Sequence, residues 1–196
     1  MPIKYDRKTA RYRTAGGRFV SPREVRKTID KTFETVKKDM RVLGEALTTG
    51  GIDLRTFQTL MREQLKISHS LAASIGRGGR RQMSLSDWGK VGGGLKKQYA
   101  YLNKLSAQIE KGLVSDVQII NRAAAYSHGV RLAYYGMTTI AETAGDATVC
   151  RRIIQSKEGC KECAYYASLG FIPIDEMPEV GSLICGVFCL CEIQFR

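Results

Sequence analysis

The chain ends in Cys160-Lys161-Glu162-Cys163, then Gly170-Phe171-Ile172-Pro173, the acidic run Asp175-Glu176-Met177-Pro178-Glu179, and Cys185-Gly186-Val187-Phe188-Cys189-Leu190-Cys191-Glu192-Ile193-Gln194-Phe195-Arg196. Five of the six cysteines lie here, as a Cys-x-x-Cys pair and a Cys-x-x-x-Cys-x-Cys cluster some twenty residues later. A Cys-x-x-Cys turn sets two thiolates about one tetrahedral edge apart, and a second cluster can close the shell around Zn²⁺. A closed all-sulfur shell has no open position for a substrate, so the spacing points to a structural site. The stretch is too short and too broken by Pro and Gly for a hydrophobic core of its own, so ligation is expected to hold it. Cys160, Cys163, Cys185, Cys189 and Cys191 are the candidate metal ligands, with one sulfur in excess of four.

Three other readings of the sulfurs stay open. Disulfides suit an oxidising compartment, but Met1-Pro2-Ile3-Lys4-Tyr5-Asp6 leads into a basic stretch with no apolar run, so reduced thiols are expected. Unligated buried thiols are the second. A catalytic cysteine, the third, needs a base, and the two histidines, His69 and His128, fall inside helical patterns far away in sequence. Cys150, ten residues before the first pair, reads as a buried thiol.

The 196 residues, 43% of them hydrophobic, allow one domain with a sizeable core and an appendage, and no apolar run approaches a membrane span. The net charge of +12 is uneven: residues 146–196 hold five Lys/Arg against seven Asp/Glu, a balance of −2, which leaves +14 on residues 1–145. A polyanion would therefore meet the N-terminal part. Residues 1–20 carry Lys4, Arg7, Lys8, Arg11, Arg13 and Arg18 against Asp6, with no helix or strand period, and read as a basic extended arm. Ser21-Pro22-Arg23-Glu24 opens a helix, and Val25, Ile29, Phe33, Val36, Met40, Leu43 and Leu47 keep its period to Gly50-Gly51. Asp53 caps a second helix with the stripe Leu54, Phe57, Met61, Leu65, Leu71 and Ile75, closed by Gly76. Gly76-Arg77-Gly78-Gly79-Arg80-Arg81 reads as a flexible basic loop. It lacks the Lys-Ser/Thr ending of a nucleotide-binding loop. Ser84-x-x-Asp87 opens a third helical stretch, but Gly92-Gly93-Gly94 predicts that the continuous helix begins only at Leu95. A fourth helix is expected over residues 115–144, with Val117, Ile120, Ala124, Val130 or Arg131, Tyr134 and Ile140 as its stripe and the small Ala123, Ala124, Ala125 and Ser127 allowing close approach. Glu192 to Phe195 alternates as a strand does.

The expected architecture is thus mostly α: elongated antiparallel helical hairpins of about four helices with a small C-terminal cysteine-rich, zinc-bound module. The expected domains are a basic arm over 1–20, a helical body over 21–145 and the module over 146–196. Arg7, Lys8, Arg11, Arg13, Arg18, Arg77, Arg80 and Arg81 are the candidate contacts to nucleic acid or a protein partner.

A helical body, a Cys-x-x-Cys, a Gly-Phe-Ile-Pro turn, a Pro and Gly stretch and a terminal cysteine pair before a short strand make an order of parts that resembles the phage Mu F-like minor head proteins of tailed bacteriophages. The likeness covers mainly Cys160 to Arg196. Those proteins often end with a histidine three residues before Cys-Arg-Cys; here Cys185 stands near that place, Leu190 replaces the arginine and the spacing is one residue longer. The resemblance implies a non-enzymatic virion component, made in the host cytoplasm and present in multiple copies near the portal or inner capsid. Its implied partners are major capsid or portal proteins and, non-specifically, packaged DNA, with no membrane. Its implied work is head assembly or DNA packaging. Two further classes compete: a zinc-ribbon nucleic-acid-binding regulator, disfavoured by the acidic module, and a nuclease acting through Asp146, Asp175, Glu176 and Glu179, which lack a partner base nearby in sequence.

Overall fold

The structure is a computed structural model that describes residues 3–6, 11–155 and 159–196; Arg7 and Lys8 lie outside the described residues. The chain is mostly α with a small cysteine-rich C-terminal region. In order it forms strands β1 (Ile3–Asp6), β2 (Arg11–Thr14) and β3 (Phe19–Val20), then helices α1 (Pro22–Thr48), α2 (Leu54–Gly76), α3 (Leu85–Glu110), α4 (Asp116–Ala125) and α5 (His128–Thr143). Strand β4 (Val149–Ile153), helix α6 (Lys161–Ser168) and strands β5 (Ile172–Pro173) and β6 (Glu192–Phe195) follow. Among the described residues no helix is long and apolar enough to cross a membrane.

The chain divides into two compact units, Pro22–Ala72 with Met83–Ala133, and Met1–Ser21 with Ala73–Gln82 and Tyr134–Arg196. This grouping differs from the expected cuts at 20 and 145, since it sets the N-terminal strands in the same unit as the cysteine region.

The helical unit is built as its periodicity dictates. Val25, Ile29, Phe33, Val36 and Met40 of α1 and Phe57, Met61 and Leu65 of α2 are buried. Gly50, at φ 76, closes α1: its N–H donates to the Leu47 carbonyl at 3.1 Å and that of Gly51 to Ala46 at 2.8 Å. Asp53 caps α2 by accepting the Thr56 N–H at 2.7 Å, and that bond holds its carboxyl below the usual carboxylate range. Helix α1 packs along α4, and Gly44 permits the approach, since a Cβ there would lie 2.9 Å from the Ile120 Cα and 3.3 Å from the Ala123 Cβ. Arg62 of α2 donates to Asn103 of α3 at 2.7 Å, and Tyr99 donates to the Arg62 carbonyl at 3.3 Å.

Four expectations for the helices need correction. First, α3 runs unbroken through Gly92-Gly93-Gly94. The glycines cost about 3 kcal/mol of propensity, but Val91, Leu95, Leu102 and Leu105 are buried around them, and each buried aliphatic returns about 1.5–3 kcal/mol. A Ser84–Asp87 capping box with bonds of 2.9 and 3.1 Å starts the helix before the glycines, so Trp88 and Val91 belong to it. Second, residues 115–144 form two helices. The bonds tighten to three-residue turns at Tyr126, Ser127, Gly129 and Val130, and the buried Ser127 hydroxyl donates to the Ala124 carbonyl at 2.7 Å. Third, Leu71 is 47% exposed, because the buried face of α2 continues through Ser68, His69, Ala72 and Ala73. Fourth, Val117 is exposed and Ile119 takes the buried position on α4.

His69 is a core histidine. Its Nδ1 pairs with the Leu65 carbonyl at 2.9 Å, and burial lowers its pKa from 6.5 to about 4.

The arm reading is also corrected: the described residues of 1–20 form an antiparallel sheet in the order β1-β2-β3. Gly17, at φ 82, turns β2 into β3, and Tyr12 and Val20 face each other across the ladder as its buried pair. The second sheet, in the order β5-β4-β6, has β4 at its centre, antiparallel to both neighbours.

Two outcomes are expected in denaturation experiments. Gly94→Ala adds a side chain to open space inside α3 and should stabilise by about 0.5–1 kcal/mol. Gly44→Ala should instead destabilise, by about 1–3 kcal/mol, because it drives a methyl into the α4 backbone. The second outcome concerns pH. Below pH 6.5 the unfolded chain takes up a proton that folded His69 refuses until about pH 4, so its stabilisation is complete above pH 6.5 and declines across that window. The decline should reach about 3 kcal/mol in urea titrations, at roughly 1.4 kcal/mol per pH unit, and His69→Gln should flatten most of it.

Candidate metal centre

The two cysteine clusters are brought to one place by three short pieces of local structure. Cys160 is the N-cap of α6, with φ −63° and ψ 154°, and its Sγ accepts the Cys163 N–H at 3.4 Å. Cys163 therefore sits one turn into α6, and the helix stops at Leu169 before Gly170, at φ 71. Glu162 accepts the Ile184 N–H at 2.7 Å, which ties the loop ahead of Cys185 to that same turn. A 3-10 turn, Gly186–Phe188, then spans the distance from Cys185 to Cys189; Gly186 adopts φ 52, and the Cys189 N–H donates to the Gly186 carbonyl at 3.1 Å. Strand β6 begins directly after Cys191.

The result is two triples of sulfur, Cys160-Cys163-Cys185 and Cys163-Cys189-Cys191, each with its Sγ atoms within 4.8 Å of one another. Cys163 belongs to both. Its Sγ lies 3.6 Å from that of Cys185 and 3.8 Å from that of Cys189. No disulfide joins the described cysteines, and these separations are far beyond the ~2.05 Å of an S–S bond. They match the edge of a tetrahedral thiolate site, about 3.8 Å for metal–sulfur bonds of ~2.3 Å. The cluster can hold a metal ion, and the five sequence-predicted ligands are the five residues that converge. Cys150 is buried on β4 and belongs to neither triple; burial pushes its thiol up.

The sulfurs differ in environment. The Cys163 N–H holds the Cys160 thiol below the usual range. Burial pushes Cys163 up to about 12 and raises Cys185 and Cys191 as well. Burial is the largest influence on Cys189 and acts upward, but the hydrogen bonds it accepts from the Cys191 and Gly181 backbone N–H groups and from the Cys185 and Cys191 thiols together outweigh it, and the thiol ends below its ordinary value. Cys163, Cys189 and Cys191 are each 3% exposed or less, so the interior of this region is largely sulfur, with Met177 and Val180 beside it in the buried set.

One residue of the site escapes sequence reasoning. Arg152, 2% exposed, points its Nη1 at Cys163 Sγ, 3.8 Å away, and Cys189 Sγ, 3.9 Å away, and donates from Nη2 to the Pro178 carbonyl. The neighbouring Arg151 faces the other way, donating to Gln194 at 2.8 Å and lying 5.0 Å from the Phe171 ring centre.

The basic candidates fare differently. Arg11 is a β2 position. Arg13 is engaged within its own sheet, paired with Asp6 at 3.1 Å and stacked 3.9 Å above Phe19. Arg18 is exposed. Arg77 is 8% exposed and so is no surface contact: it continues the last turn of α2, its N–H donating to the Ala73 carbonyl at 2.9 Å. Arg80 and Arg81 are exposed on a 3-10 turn, Arg80–Gln82. The loop expected to be flexible is a capped turn, with Gly79 at φ 121 and its N–H on the Ser74 carbonyl at 2.7 Å. The acids Asp146, Asp175, Glu176 and Glu179 are exposed, and among the described residues they join no cluster of potential ligands.

Compared with protein-family models, curated proteins and solved structures, the chain matches none.

Because Cys163 is shared by both triples, Cys163→Ser should lower metal content further than Cys185→Ser or Cys191→Ser. Elemental analysis of the purified variants reads this directly, and an equal loss in all three would show that the sulfurs do not act as two triples with a common vertex.

Proposed function

We propose that residues 160–196 form a zinc-stapled module of a structural virion protein, a minor head component of a tailed bacteriophage that acts in head assembly or DNA packaging. The observation that carries the metal half is the convergence of four other sulfurs on that of Cys163, two of them at tetrahedral-edge distances. Zinc is favoured because it takes four thiolates without geometric demands and is redox-inert, as a permanent staple requires. When bound, the ion supplies folding free energy to a region whose interior is mostly cysteine.

Two features support the virion half, together with the order of motifs. The cysteine region leaves Ile184 at 78% exposure, Phe188 at 60% and Tyr165 at 59%, large apolar side chains suited to contact with a capsid or portal subunit. Residues 1–145 hold the chain's positive charge, and Arg18, Arg80 and Arg81 present part of it to solvent, suited to packaged DNA in a sequence-independent way. A closed four-sulfur shell offers no site for turnover, in keeping with a non-enzymatic part.

Purified full-length chain should contain about one zinc, and chelation should lower its melting temperature. Zinc-free protein of unchanged stability overturns the metal reading. Phage heads purified from cells making the chain should contain it by mass spectrometry; its absence overturns the virion reading, and sequence-selective duplex binding would replace it with a regulator.

A further inference from the structure

We infer that Arg152 is the positioning residue of the sulfur site: its buried guanidinium lies against Cys163 and Cys189, one sulfur from each cysteine cluster, and so sets how tightly the metal is held. This rests on the metal reading above and concerns a residue that is not itself a ligand.

A guanidinium is charged at any pH a protein meets and cannot escape burial by losing its proton. Arg152 is 2% exposed, and its Nε is sealed from solvent with no hydrogen-bond partner. Its polar neighbours include the sulfurs of Cys163 and Cys189, the thiol of Cys191 and the Pro178 carbonyl. Among the described residues no carboxylate pairs with it. A buried cation is costly without negative charge nearby, and a thiolate-bound metal centre would place that charge beside this one. Four thiolates around a divalent ion leave a formal charge of −2 inside the protein, and a guanidinium at 3.8 and 3.9 Å from two of the sulfurs halves it.

The placement is built. Arg152 lies on the central strand of its sheet, paired with Ile193 of β6, one position before the strand ends. Its fork spans three segments: Nη2 reaches the Pro178 carbonyl, while Nη1 reaches one sulfur from each cysteine cluster. It therefore acts through the ligands as a positioning residue, in the way partners outside a metal's ligand shell orient and stabilise the ligands themselves.

The test is a Co²⁺ titration of the full chain, read by the sulfur-to-metal charge-transfer band, with Zn²⁺ then competed by a chromophoric chelator. Arg152→Met keeps the bulk and removes the charge; Arg152→Lys keeps the charge and loses the fork. The M variant should bind zinc about 10–100-fold more weakly than wild type. Its charge-transfer intensity at saturation should be unchanged, since the number of sulfurs is the same. The K variant should retain most of the affinity. Wild-type affinity in a folded M variant overturns the inference and leaves the metal reading intact. If the M variant does not fold by circular dichroism, the K variant decides, and a loss as large as that expected for M overturns the role of charge. Wild-type protein that takes up neither Co²⁺ nor Zn²⁺ overturns both.

Discussion

The constraint on which the C-terminal region depends is the placing of one permanent cation among converging sulfurs. An unpaired buried charge costs several kcal/mol even after relaxation, and an 8-residue helix with three short strands has little apolar area with which to offset that cost. The four most deeply buried cysteines, Cys150, Cys163, Cys189 and Cys191, surround or adjoin Arg152 in sequence and space. With a divalent ion bound, thiolates, metal and guanidinium would offset one another's charge, which none of them could do alone. The sheet then becomes intelligible as a platform: β4 carries Arg152 to the sulfurs on one face and Arg151 to Gln194 and Phe171 on the other.

That same device explains why β4 is hard to see in the sequence. In Val149-Cys150-Arg151-Arg152-Ile153 the buried positions are Cys150 and Arg152, so the alternation that should announce a half-buried strand carries a charge on its inner parity. The ordinary expectation places arginine outside. Strand β6 lacks this inversion and is legible as Glu192 to Phe195. The ligands are legible because their signal is spacing, which folding does not rewrite: a helix N-terminus realises Cys-x-x-Cys and a 3-10 turn realises Cys-x-x-x-Cys. What spacing cannot reveal is that Cys163 is common to both triples, since that depends on the Glu162 bond to Ile184 folding the second cluster back onto the first.

The helical unit is legible wherever local signals and packing agree. The Ser84 and Asp53 caps, the stop at Gly50-Gly51 and the α1 stripe are such places. It is misread where tertiary burial overrides propensity. Gly92 to Gly94 stay helical because Val91 and Leu95 anchor both sides, and a run of good helix formers breaks at Tyr126-Ser127 because a buried hydroxyl finds its acceptor one turn back. The first twenty residues hide a sheet for a different reason. Tyr12 and Val20 are the buried pair, but they stand amid so many cations that composition outweighs the alternation.

The arginines make the same point about function. Seven of them, with Lys8, are candidate contacts because each adds positive charge, yet charge counted along a chain is not charge presented to a partner. Arg13 spends its guanidinium on Asp6, Gly17 and Phe19, and Arg77 is buried at the end of α2. Arg18, Arg80 and Arg81 remain on the surface. Phosphate contacts position a protein without reading sequence, and contacts of that kind are what the proposed function would ask of these exposed arginines. The cysteine region also leaves Ile184 and Phe188 exposed, apolar surface that the proposed function would set against a protein. Under that proposal the part would be placed by its neighbours, and a metal staple would suit the work because it would fix the docking shape without calling for a large core.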